Sequence, residues 1–221
     1  MSSSNFSSTS DQIIEHIVLY KLKPDADAPA VNAMLSNLKS LGSLDSVLHL
    51  SAGPVSRCRS NSLTFTHMLH SRYRSKSDLI SYSENPNHIS VVANYVKPVV
   101  DDVMAVDWVA NDLSGSPVIP PGSASRLTIL KLKEGTGESG KSEVLGSLSG
   151  IKQKFPSIEQ LTAGENFSPG RAKGFSICSI AVFKELKELE ALASEPENKD
   201  EISEFLVVDT VVPATIPSAC L

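Results

Sequence analysis

The stretch Ser77-Asp78-Leu79-Ile80-Ser81-Tyr82-Ser83-Glu84-Asn85-Pro86-Asn87-His88 reads as the end of one helix, a proline-set restart, and a histidine in the first turn of the next. A worn copy stands later, at Lys187-Glu188-Leu189-Glu190-Ala191-Leu192-Ala193-Ser194-Glu195-Pro196-Glu197-Asn198. Pro86 falls on Pro196 at an offset of 110 residues, which puts Tyr82 on Leu192 and His88 on Asn198. The turn is repeated and the titratable groups are not.

Outward from that stretch, the preceding residues alternate between strand and helix patterns. Ile13 to Lys23 is β-branched, apolar on both faces and stopped by Pro24-Asp25, the pattern of a strand covered on both sides. Pro29 to Leu41 places Val31, Met34, Leu35 and Leu38 three and four apart, an amphipathic helix ended by Gly42. Ser46 to Ala52 predicts a second strand, and Gly53-Pro54 opens what reads as a polar loop through Ser62. Leu63 to Tyr73 predicts a third strand, with Phe65, His67 and Leu69 on one face. A helix over about Pro86–Val100 and a strand at Val103–Val109 complete the order strand-helix-strand-strand-helix-strand. That order is ferredoxin-like, an α+β unit with helices on one face of an antiparallel sheet.

Asn111 to Ala124, with Gly, Ser and three Pro, is a linker, and the pattern then restarts. Leu130-Lys131-Leu132-Lys133 repeats Tyr20-Lys21-Leu22-Lys23, Leu161-Thr162-Ala163-Gly164 repeats Leu50-Ser51-Ala52-Gly53, and Phe175-Ser176 repeats Phe65-Thr66. Val208-Asp209 repeats Val106-Asp107, with the offset reduced to 102. The second copy has therefore lost about two helical turns ahead of its last strand. A single unit hides one sheet face under its helices and needs a second sheet for the other. Two tandem units, 12–110 and 125–213 around a linker at 111–124, are expected to pack sheet to sheet as a dimeric α/β barrel made within one chain.

The remaining composition narrows the function classes. Of the 221 residues 41% are apolar and 20% charged, with a net charge of -5 and no Lys/Arg cluster interleaved with aromatics, so nothing points to nucleic acid. No apolar run reaches the roughly 20 residues of a membrane helix. Cys58, Cys178 and Cys220 form no Cys-x-x-Cys pair, which argues against a disulfide framework or zinc site and for a reducing compartment. Residues 1–11 are Ser-rich without Lys or Arg and read as a disordered tail. The final Ala219-Cys220-Leu221 lacks the basic centre of a peroxisomal Ser-Lys-Leu address, so the cytoplasm is the expectation and the peroxisome the alternative.

Taken in order, His16-Ile17-Val18-Leu19-Tyr20-Lys21-Leu22-Lys23, Phe65-Thr66-His67, Tyr82-x-x-x-Pro86-x-His88 and Val106-Asp107-Trp108 resemble the stress-response dimeric α/β-barrel (Dabb) family, in particular its plant members with two tandem domains. The resemblance covers nearly all of residues 11–212. It implies small apolar cavities between each sheet and its helices. One family member, olivetolic acid cyclase, closes a linear poly-β-keto chain by aldol chemistry without metal or organic cofactor. Its active-site tyrosine and histidine correspond to Tyr82 and His88, and its supporting strand histidines to His16 and His67. A further cyclase histidine is Asn85 here.

Aldol closure needs a base of near-neutral pKa and a donor to the developing enolate oxygen. His88, in a first helical turn after Asn85 and Pro86, would be kept neutral by the helix dipole, and Tyr82 could donate its phenol. All four polar positions change together in the second copy, to Arg126, Ile177, Leu192 and Asn198. The competing reading is structural, since buried His and Tyr with satisfied hydrogen bonds are common in small cores. The resulting expectation is a His/Tyr-lined apolar pocket in the first unit, formed by His16, His67, Tyr82 and His88, for a small carbonyl compound of polyketide type. No cofactor or metal is expected. The alternative is a non-catalytic stress or defence protein acting through barrel association, and a homodimer of the chain is compatible with either.

Overall fold

A strand apolar on both faces must be covered on both, and the computed structural model shows what covers Ile13–Leu22 (β1). Ile14, Val18 and Tyr20 pack beneath helices, whereas Ile17 and Leu19 point into a barrel interior. The structure describes residues 12–111, 113–191 and 200–213. The tail at 1–11, Leu192, Asn198, the proline restart at Pro196 and the final Ala219-Cys220-Leu221 lie outside those residues.

In the first half β1 is followed by α1 (Ala28–Ser40), β2 (His49–Ser60), β3 (His67–Tyr73), α2 (Lys76–Glu84), α3 (Pro86–Val91) and β4 (Val100–Ala110). The second half repeats the order with β5 (Ala124–Leu132), α4 (Glu138–Lys154), β6 (Ile158–Glu165), β7 (Ile177–Phe183), α5 (Leu186–Glu190) and β8 (Ile202–Val211). The duplication extends to detail. The register shifts between Lys21 and Leu22 where β1 meets β4, and between Lys131 and Leu132 where β5 meets β8. The helix starts follow their side chains: Asp27, Ser75 and Asn85 each accept a backbone N–H of the first turn.

All eight strands join one antiparallel sheet in the order β4-β1-β3-β2-β8-β5-β7-β6. The sheet curls until its ends meet. Phe167 N–H, just past β6, donates to Asp107 O on β4 at 2.9 Å, and Gly164 leaves room for Trp108. The interior belongs to both halves: Ile17, Leu19, Met104, Val106 and Trp108 pack with Leu127, Ile129, Phe175, Ile180 and Val208. This is the intramolecular dimeric α/β barrel that the duplication predicts.

The polar loop expected at 55–62 is different. Its residues through Ser60 continue β2 and pair with β8, Val55 opposite Thr210 and Cys58 opposite Val208. A bulge between Val55 and Arg57 breaks the period of two, which is why the stretch reads as irregular. This extension is the hydrogen-bonded seam that makes the two sheets one. A second seam is ionic and wholly buried. Glu15 accepts from Arg72 Nε at 3.1 Å, His70 Nε2 at 2.6 Å and Thr162 Oγ1 of the second half at 3.0 Å. Arg72 also donates to Pro117 O and Gln160 Oε1. Arg72 and its hydrogen bonds hold the Glu15 carboxyl at about 2 against its desolvation, and burial pushes His49, beside His70, down to about 3. Both histidines are architectural.

Candidate functional site

The period of two sends Glu15 and Ile17 inward and His16, Val18 and Tyr20 outward, under α2 and α3. Between that face of β1 and β4 and the two helices lies a cavity of about 740 Å³. Its wall includes His16, Tyr20, Tyr82 and His88, with Val18, Leu79, Val92 and Val96 as apolar lining. Three of the four residues singled out from the sequence therefore meet at one cavity.

His67 does not line it. It opens β3 directly across from Tyr20, which lines the cavity in its place, and its Nδ1 bonds Thr66 Oγ1 at 3.0 Å. His67 stays half-buried, and burial lowers its pKa.

The residue that sequence reasoning missed is Asp107. The β1–β4 register sets it opposite His16, and His16 Nδ1 hydrogen-bonds Asp107 Oδ1. A carboxylate only accepts, so Nδ1 is protonated and donates to it. Asp107 is held from a second side by the other copy: its N–H donates to Asn166 Oδ1 at 3.0 Å, and the Ser168 side chain bonds its carboxylate. Burial pushes the Asp107 carboxyl up, but the His16 bond and charge, Ser168 and the nearby Arg171 outweigh it and leave it below the ordinary range. The sequence signals for Asp107 were its recurrence as Asp209 and its place in Val106-Asp107-Trp108, neither of which points to the cavity.

His88 is fixed in the same way. Its Nδ1 lies 3.0 Å from the Ser83 carbonyl, which can only accept, so Nδ1–H donates and Nε2 is the basic atom. Asn85 caps α3 and Pro86 occupies its first turn, as the sequence predicts. Burial supplies a further cause of neutrality. Burial is the largest influence lowering the His88 pKa, with the charges of His16 and Arg171 adding to it and the Ser83 carbonyl opposing. The Tyr82 ring sits 4.6 Å from His88, 6.3 Å from His16 and 5.3 Å from Tyr73, centroid to centroid. Burial raises the Tyr82 pKa well above the ordinary phenol value, so the group remains a donor at neutral pH, hydrogen-bonded to Tyr73. The arrangement offers a basic imidazole nitrogen on His88, a second imidazole held by a carboxylate at His16, and a protonated phenol between them. Among the described residues, no group of three or more His, Cys, Asp or Glu is placed to hold a metal ion.

The second half pairs the same position differently. Arg126 occupies the place of His16 and forks onto Asp209, Nε to Oδ1 at 2.7 Å and Nη2 to Oδ2 at 2.9 Å. Arg126 and Ile177 line neither this cavity nor a smaller one of about 400 Å³ beside α4 and β6. The second half instead supplies Phe167, Ser168 and Arg171 as one wall of the first half's cavity. Those residues lie about 60 positions beyond the rest of the site, with no local signal to announce them.

Comparison with known proteins agrees with this architecture. The model of the stress responsive A/B barrel domain matches residues 14–110 and again residues 124–212. The chain is 49% identical over 223 residues to a stress-response A/B barrel domain-containing protein of Arabidopsis thaliana, covering 97% of this chain and 84% of that protein. It is 42% identical over 210 residues to a second Arabidopsis protein of the same description, covering 94% and 98%. Among solved structures, a putative monooxygenase from Fusobacterium nucleatum superposes with a TM-score of 0.62 at 13% identity, over 93% of this chain and 94% of that one. A similarity that remote speaks for the fold alone. No helix among the described residues is long and apolar enough to cross a membrane.

Proposed function

Since the chain belongs to the stress responsive A/B barrel domain family and carries the domain twice in tandem, we propose that its first copy binds a small, mostly apolar carbonyl compound and removes a proton alpha to the carbonyl. The observation that carries this reading is the convergence of His16 with Asp107, His88 with the Ser83 carbonyl, and Tyr82 on one cavity. About 740 Å³ lies within the range of small-molecule sites.

The chemistry follows from the protonation states. Neutral His88 takes the alpha proton at Nε2, the electron pair moves onto the carbonyl oxygen, and Tyr82 O–H donates to the developing enolate. In a substrate with a second carbonyl within reach, the enolate carbon attacks it and a carbon–carbon bond closes the ring. The resulting alkoxide recovers the proton from the imidazolium, so the cycle returns His88 neutral. His16, oriented by Asp107, stands on the second carbonyl's side of the site.

A thermal-shift screen of aromatic and polyketide-like ketones tests the binding step, and exchange of the ligand's alpha protons in D₂O, followed by NMR, tests the chemistry. Both signals should be lost in Tyr82→Phe combined with His88→Ala, and His88→Ala alone should slow exchange about 10²- to 10⁴-fold. Exchange at the parent rate in His88→Ala would refute the base assignment. No ligand in the screen would return the chain to the non-catalytic, association-based reading.

A further inference from the structure

We propose that the compound bound in this cavity carries a carboxylate, and that Arg171 of the second copy is the residue that reads it. The inference rests on the reading above that the cavity takes a small organic ligand, and it adds the ligand's charge.

The argument is a balance of charges at the cavity. Three carboxylates line it, and each is already engaged. Asp101 pairs with Lys21 at 3.3 Å, Asp102 with Lys173 at 2.9 Å, and Asp107 with His16. Three cations line it as well: Lys76, Lys97 and Arg171. Among the described residues none of the three lies within 4 Å of a carboxylate, although surface cations elsewhere in the chain, such as Lys131, Lys141 and Lys187, do. Lys76 rests its Nζ 4.1 Å from the centre of the Phe167 ring, an arrangement that orients the ammonium without neutralising it. The cavity therefore combines apolar walls with unbalanced positive charge, which suits an apolar acid better than a neutral ketone.

Arg171 is the most specific of the three cations. It ends a short 3-10 turn, Pro169–Arg171, whose following residues Ala172 and Phe175 are buried in the barrel interior. The other end of that loop is pinned to β4 through Phe167 N–H on Asp107 O. The guanidinium is thus carried on a loop anchored at both ends, and its planar fork matches a carboxylate in a way an ammonium does not. Its field already reaches the site, since it depresses the pKa values of both His88 and Asp107. A ligand carboxylate held by Arg171 would leave the apolar body and ketone of the same molecule facing Tyr82 and the two histidines.

The test uses a matched pair of stable probes, 4-oxo-4-phenylbutanoate and its methyl ester, titrated against the full chain by calorimetry and by amide chemical shifts. The acid should bind about 10-fold or more tightly than the ester, the usual worth of a charged hydrogen-bonded contact. That advantage should shrink as salt rises and vanish in Arg171→Gln, while the melting temperature stays at the parent value, since Arg171 is exposed. Equal binding of acid and ester overturns the carboxylate inference and leaves the pocket reading intact. An acid preference that survives Arg171→Gln overturns the assignment to Arg171. If neither probe shifts resonances of the cavity at millimolar concentration, both readings fall.

Discussion

Gly164→Ala tests the closure of the barrel with a single methyl group. Gly164 lies on β6 where it faces β4, and an added Cβ would stand 2.9 Å from Trp108 Cδ1, 2.9 Å from Val109 O and 3.1 Å from Trp108 Cβ. Those distances are short by about half an ångström against ordinary contact. One of the obstructing atoms is backbone and the others belong to a fully buried indole, so neither yields by a rotamer change. Overpacking of this kind costs about 1–3 kcal/mol, and the alanine recovers about 0.5 kcal/mol by stiffening the unfolded chain. The net loss is about 0.5–2.5 kcal/mol, which for a chain of this size lowers the melting temperature by about 1–10 °C. The control is Gly146→Ala, at an exposed position of α4 where nothing lies within 4 Å; it should gain about 0.5–1 kcal/mol from helix propensity. Thermal melts followed by circular dichroism give the stabilities. Trp108, the chain's one tryptophan, reports the seam directly, because opening it breaks the Nε1 bond to Thr162 and shifts its emission to the red. If Gly164→Ala is as stable as Gly146→Ala and the emission is unchanged, β4 and β6 do not abut and the barrel is not closed there. The same seam carries Asn166, Phe167 and Ser168 to Asp107, so ligand affinity should fall with it.

The other outcomes concern buried charge and stoichiometry. Glu15 has a folded pKa of about 2 against 4.5, so its contribution, on the order of 3 kcal/mol, is present above pH 4.5 and lost as pH falls towards 2. His49, depressed to about 3 by burial, adds a loss in the same direction between pH 6.5 and 3; urea midpoints that stay flat from pH 7 to pH 4.5 would contradict the His49 reading, and midpoints flat from pH 4.5 to pH 2 the Glu15 one. Glu15→Gln strands the buried Arg72 guanidinium and should cost about 3–5 kcal/mol, against a near-neutral result if water reaches that network. Arg126→Met leaves the buried Asp209 with only Arg59, 3.6 Å away, of its two named cations, and should cost about 3 kcal/mol by urea titration. A loss under about 1 kcal/mol would mean the pair is not structural. Calorimetry should give one ligand per chain, and two equivalent sites would refute the closure of the second half.

How much was legible depended on whether a residue's meaning was local. β1 could be read from its composition because burial on both faces writes itself into consecutive residues. The duplication was legible because five anchors recur in order. The far half of β2 was not, because Pro54, Arg57 and Arg59 and a bulge disguise a strand whose partner, β8, lies about 150 residues away. In the site, His16, Tyr82 and His88 each sit where one element's own periodicity points them at the helix–sheet interface. His67 obeys the same parity and still misses, because it stands at the strand's end, where Tyr20 takes the space. Asp107 needed the β1–β4 register, and Arg171 needed the whole barrel.

The second copy also carries more information than loss. Had its site decayed freely, Asp209 would have no reason to remain buried opposite the position that lost its histidine. It remains because an arginine took that position, and the fork uses both carboxylate oxygens. In the first half His16 Nδ1 bonds one carboxylate oxygen and leaves Nε2 at the cavity. The two halves thus keep the same carboxylate in the same register, one closed by a bidentate fork and the other paired to a histidine that lines the cavity. A symmetric homodimer would present the identical pair twice and could not let the two differ. Fusing the copies permits that difference, and the loop from Asn166 to Arg171 completes it by making the second half a wall of the first half's cavity.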